Sequence, residues 1–104
     1  MTTRKPDEQP PGISDEARGL LGLYLATRRA DLDRLDRALA AGDFAAIQAV
    51  GHSFKGSSAM YGFPEAGRIG EQLEEAAARA DRGAVEALVP LLRASLPAAD
   101  SLTT

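Results

Sequence analysis

The sequence contains no cysteine, no tryptophan and only one histidine, and just 5% of its residues are aromatic. Without cysteine it can build neither a disulfide framework nor a thiolate metal site. One imidazole cannot make the usual zinc clusters, so only mixed carboxylate sites stay formally open. A basic surplus is missing too: the net charge is −3 and the pI is near 5.1. That balance argues against a nucleic-acid binder, which needs a basic face. No apolar run approaches the roughly 18 residues of a membrane span. No stretch alternates apolar and polar residues as a half-buried strand does, and no internal repeat or low-complexity tract stands out.

What is present suits one small helical domain. A chain of 104 residues with 44% hydrophobic content supports a single modest core. Residues 1–13, MTTRKPDEQPPGI, are charged and proline-rich and lack the apolar segment of a signal peptide. They read as a disordered leader, with the folded domain over 14–104 and a cytoplasmic location. Ser14-Asp15-Glu16 has the form of a helix start, a capping serine followed by acids. Leu21, Tyr24 or Leu25, Arg28, Leu32, Leu35 and Leu39 then mark one helical face, with the head of Arg28 expected in water. Ala41-Gly42-Asp43 closes this helix and caps the next.

A second helix from Phe44 carries Ile47, Gly51, Phe54 and Ser58 on one stripe, and Tyr61-Gly62-Phe63-Pro64 breaks it. The third places Ala66, Ile69, Leu73, Ala76 and Ala80 inward, and Asp81-Arg82-Gly83 forms the next turn. The fourth uses Val85, Leu88, Leu92 and Leu96, with Pro90 inside it expected to bend it. Four amphipathic helices joined by short turns predict an all-α, antiparallel up-down-up-down four-helix bundle. No second apolar face calls for a dimer, so a monomer is expected.

The lone histidine lies in GHSFKGSSAM. At about 100° per residue, His52 falls more than a quarter-turn from the inward stripe, on the solvent side. Gln48, Gly56 and Ala59 lie above and below it on the same strip, near Ala45 and Ala49, and Lys55 stands one turn on. Gly51 and Gly56 each cost a helix about 1 kcal/mol relative to alanine, so both read as requirements for close approach. An exposed imidazole is a nitrogen nucleophile able to take a phosphoryl group from a mixed anhydride such as an aspartyl phosphate. Lys55 at i+3 is near enough to offset charge on the phosphoryl oxygens. The site has no oxyanion hole or evident cleft, which disfavours hydrolysis. The competing reading, a surface histidine beside a solvated lysine, is the more common fate of such residues.

The run His52-Ser53-Phe54-Lys55-Gly56-Ser57-Ser58-Ala59 resembles the signature of histidine-containing phosphotransfer (HPt) domains of two-component phosphorelays. That signature is His-x-x-Lys-Gly-Ser-Ser or Ser-Ala, with a glycine a few residues later, here Gly62. YLATRRADLDRLDRALAAGDFAAIQAVGHSFKGSS is similar to the family's first two helices and IGEQLEEAA to its third, so the likeness covers about residues 15–97. It implies His52 as phospho-acceptor through Nε2, Lys55 as the aid to the phosphoryl group, and Gly56 as room for a docking response-regulator receiver. It further implies that Glu74, in the third helix, accepts a hydrogen bond from the other ring nitrogen; the alternative for Glu74 is an ordinary surface charge. Gln48, Gly56 and Ala59 would form the receiver-docking face.

The implied function is a freestanding phosphoryl carrier between receiver aspartates, with receivers and a hybrid histidine kinase as partners. No cofactor is expected on this chain, and Mg²⁺ is expected on the receiver. No glycine-rich ATP loop is present, so autophosphorylation from ATP is not expected. The alternative is a binding module that docks on a kinase or receiver to inhibit or scaffold it without using His52. Ala66, where relatives carry a larger aliphatic residue, and Pro90 depart from the pattern. The first suggests looser packing between helices two and three. Gly51, Tyr61 and Phe63 vary without touching the motif.

Overall fold

The computed structural model describes residues 15–97. The leader expected over 1–13, the Ser14 cap and residues 98–104 lie outside the described residues. Within them the chain is all-α, with four helices and no strand: α1 (Asp15–Ala41), α2 (Phe44–Ser57), α3 (Pro64–Ala78) and α4 (Arg82–Ala94), plus a 3₁₀ turn over Ala59–Tyr61 between α2 and α3. This is the four-helix bundle that the periodicity predicts. No helix among the described residues is long and apolar enough to cross a membrane.

The joints follow local chemistry. Gly42 takes a left-handed φ of 70° at the end of α1, a conformation that costs glycine little. Asp43 then caps α2 by accepting the amide of Ala46 at 3.1 Å, and Asp81 caps α4 through Ala84 at 3.1 Å. The turn expected at Asp81-Arg82-Gly83 is therefore shifted. The chain reverses at Arg79 and Ala80, the latter at φ 53°, and Arg82 and Gly83 already belong to α4. The carboxylate cap outweighs the turn preference of the glycine that follows it. Helix α2 likewise stops earlier than its stripe suggests. The Ser58 carbonyl accepts the amides of Tyr61 at 3.2 Å and Phe63 at 2.8 Å, which tightens the chain before Gly62, at φ 91°, turns it into α3.

Leu25, Leu35, Ile47, Val50, Phe54, Leu73, Val85 and Leu92 form the fully buried centre, drawn from all four helices. In α4 the buried stripe is Val85, Val89 and Leu92, Leu88 is only half-buried, and Leu96, expected on this helix, is buried just past its end. Arg28 does not hold its head in water, contrary to the expectation from sequence. Its side chain is 12% exposed. It donates to the Ser53 carbonyl at 3.0 Å and to Ser57 Oγ at 2.9 Å, and pairs with Asp31 at 3.1 Å. The two small serines leave a groove that the guanidinium fills, over the rings of Tyr24 and Phe54.

The seam between α2 and α3 is close where looser packing was expected. Ala66 is fully buried. A Cβ added to Gly51 would lie 2.7 Å from both the Glu74 amide nitrogen and the Gly70 carbonyl oxygen. Small residues here let two backbones meet. Gly51 thus serves approach by α3, not by a partner protein.

Candidate functional site

His52 stands near the middle of α2 with its side chain 70% exposed. It is there because Ile47, Val50, Gly51 and Phe54 fix the inward face of α2, and the helical turn carries residue 52 to the other side. Lys55, 45% exposed, follows on the same helix, and Glu74, 20% exposed, reaches across from α3. Glu74 Oε2 lies 3.0 Å from His52 Nδ1, and its Oε1 lies 3.4 Å from Lys55 Nζ. One carboxylate therefore holds both the imidazole and the ammonium.

The chemistry of that arrangement follows from the donor and acceptor roles. An ionised carboxylate can only accept, so Nδ1 is the ring's N–H donor. In the neutral imidazole Nε2 then keeps the lone pair. The hydrogen bond from His52 is the main reason that the Glu74 carboxyl is held below its ordinary value, with the nearby Lys55 charge adding to it and partial desolvation opposing. A carboxylate so held stays an acceptor throughout the neutral range.

The remaining residues singled out from sequence are placed as follows. Gln48 and Gly56, with Ala45 and Ala49, are exposed on α2 with His52, and Ala59 is exposed in the 3₁₀ turn that follows. A Cβ at Gly56 would meet nothing within 4 Å. The helix surface beside the imidazole is therefore low at Gly56. Two hollows lie elsewhere. One of about 480 Å³ is lined by Arg29, Leu32, Arg93 and Leu96, and one of about 250 Å³ by Leu20, Leu23, Arg28 and Ser57. Neither is lined by His52. Among the described residues no group of histidine and carboxylates is placed to hold a metal ion.

Sequence reasoning missed Gly70. It lies one helical turn before Glu74 and packs on Gly51, and the spacing of a glycine four residues before the carboxylate was its only trace. It also missed Arg28, which grips the backbone at Ser53, the residue after His52.

A family model described as the Hpt domain matches residues 19–102. Comparison with curated proteins and with solved structures gives no match.

Proposed function

The chain belongs to the Hpt domain family, whose members carry phosphoryl groups in phosphorelays through receiver domains, and we propose that it acts as a freestanding carrier with His52 as the acceptor. The observation that carries this reading is the exposed His52 ring with its Nδ1 held by Glu74 at 3.0 Å. That geometry leaves a nucleophilic nitrogen on the side of the ring away from Glu74.

In the forward step the Nε2 lone pair attacks the phosphorus of a receiver's aspartyl phosphate. The N–P bond forms as the P–O bond to the acyl oxygen breaks, and that electron pair leaves on the receiver's aspartate. Nδ1 keeps its proton, so the phosphorylated ring is a cation facing the Glu74 carboxylate. Passing the group on reverses each event: a second aspartate attacks, and the N–P pair returns to Nε2. No proton has to enter or leave in either direction. Lys55, beside the ring, offsets charge on the phosphoryl oxygens. Gln48, Gly56 and Ala59 form the docking face, and Mg²⁺ is expected on the receiver, where it would neutralise phosphoryl charge. We take the carrier to work as a cytoplasmic monomer, loaded by a receiver such as that of a hybrid histidine kinase.

The test is direct. The protein is incubated with a phosphorylated receiver and Mg²⁺, and acid-labile, alkali-stable label is sought on it, with His52→Gln as control. Label on the wild type alone is expected. No label across a panel of receivers would favour a scaffold that docks without accepting phosphate. Equal labelling of the variant would remove His52 as the acceptor.

A further inference from the structure

We infer that the Gly51–Gly70 contact is a positioning device for His52, setting the α2–α3 separation at which Glu74 reaches Nδ1. The use of the positioned ring rests on the carrier reading; the positioning itself does not. Glycine within a helix is unfavourable, so two of them facing each other need a reason. A Cβ on Gly70 would lie 2.6 Å from Phe54 Cβ and 2.9 Å from both the Gly51 carbonyl oxygen and the Lys55 amide nitrogen. One on Gly51 would meet the backbone of Glu74 and Gly70 at 2.7 Å. Most of these obstacles are backbone atoms, which cannot swing aside as a side chain can.

The contact involves the site itself. Gly51 precedes His52, and its missing Cβ faces the backbone of Glu74. The missing Cβ of Gly70 faces the backbone of Lys55. A methyl group at either glycine therefore forces α3 back by roughly 0.5–1 Å, enough to leave ordinary contact range. The His52–Glu74 bond is 3.0 Å long and the Lys55–Glu74 contact already 3.4 Å. Such a retreat takes both beyond useful hydrogen-bond length. Released from Glu74, the neutral ring is free to move its proton to Nε2, which removes the lone pair that would attack phosphorus.

Gly67 supplies an internal control. It lies on the same seam, but its nearest neighbour to an added Cβ is Ser58 Cβ at 3.6 Å, an ordinary contact. Gly19 and Gly22 on α1 face open space, so alanine there strengthens α1 without touching the seam. Gly51→Ala, Gly70→Ala and Gly67→Ala are therefore made in a Gly19→Ala/Gly22→Ala background, and helical content is followed by circular dichroism.

The primary readout is the side-chain ¹⁵N spectrum of the neutral ring, unambiguous because the chain has a single histidine. The wild type and Gly67→Ala should show the Nδ1–H tautomer, and Gly51→Ala and Gly70→Ala a shift of population to Nε2–H. The second readout is phosphoryl uptake from a phosphorylated receiver. Gly51→Ala should slow it about 10-fold, and the Gly51→Ala/Glu74→Ala double variant should be no slower than Glu74→Ala alone. An unchanged tautomer in Gly51→Ala overturns the inference. So do multiplying rate effects in the double variant, or loss of the helical signal in both seam variants, which would make the contact a folding requirement. Absence of label on the wild type would refute the carrier reading, and the tautomer spectra would still decide the positioning.

Discussion

Glu74 divides its two oxygens between His52 and Lys55, and that division makes the residue's protonation legible in stability. Its carboxyl is held below the ordinary 4.5, first by the hydrogen bond from His52. Above 4.5 the group is ionised in the folded and unfolded chain alike, and its stabilising contribution is complete. As pH falls, the unfolded chain takes the proton first, and the contribution is lost once pH passes below the folded value. Glu74→Gln should therefore flatten the wild-type fall in denaturation midpoint as pH drops below about 4.5; parallel curves would sever the link. Lys55→Ala should slow transfer or shorten the phosphohistidine lifetime about 10-fold while leaving receiver binding intact. If neither the chased label nor the transfer rate moves, Lys55 is only a surface charge. The exposed placement of His52 beside Lys55 was legible from helical spacing, and the contact with Glu74 through family resemblance. The role of Gly51 was not, because one strand of sequence does not say which turn of α3 lies opposite.

At the scale of elements, the corner between α2 and α3 is set from a distance. Ser58 is fully buried and hydrogen-bonds the phenol of Tyr24, 34 positions earlier. Tyr24 in turn stacks on Tyr61 at 4.5 Å and Phe63 at 5.8 Å. Burial is the main influence raising the Tyr24 phenol above its ordinary value, so it stays neutral and able to donate. Tyr24→Phe should cost about 1–2 kcal/mol in chemical denaturation by leaving the Ser58 hydroxyl unpaired, without altering the labelling of His52. A loss much smaller than that would mean that Ser58 finds another partner. Gly62 at φ 91° lies where a side chain is strained, so Gly62→Ala should destabilise the same corner. The reversal itself could be read from Tyr61-Gly62-Phe63-Pro64. The early end of α2 could not, since the bonds that tighten the chain at the Ser58 carbonyl leave no apolar signature, and the buried Ser58 hydroxyl has its partner, Tyr24, on α1. The α3–α4 joint departs from its expected place for a local reason: Asp81 serves as a cap, and the Arg82-Gly83 that follows it enters the helix.

For the whole molecule, apolar spacing alone gave the right number and order of helices, because each buries one stripe into a common centre. Arg28 escaped that logic, since its burial depends on a groove left by Ser53 and Ser57 on another helix. The bundle also separates stability from exchange along a single helix, and two residues of α2 test it. Phe54 is fully buried. Phe54→Ala should cost about 3–5 kcal/mol, a large part of what holds a domain of this size together, and should lower both the melting temperature and the labelling. Gly56, two positions on, faces open space. Gly56→Leu gives α2 a better helix former and should melt no lower than the wild type. It nevertheless places a branched side chain one turn from His52, on the strip proposed as the receiver-docking face. Labelling by phosphoramidate, a donor too small to touch that strip, should be unchanged, and transfer from a phosphorylated receiver should fall at least about 10-fold. A Gly56→Leu protein that exchanges with receivers at the wild-type rate would move the docking face away from the surface beside His52.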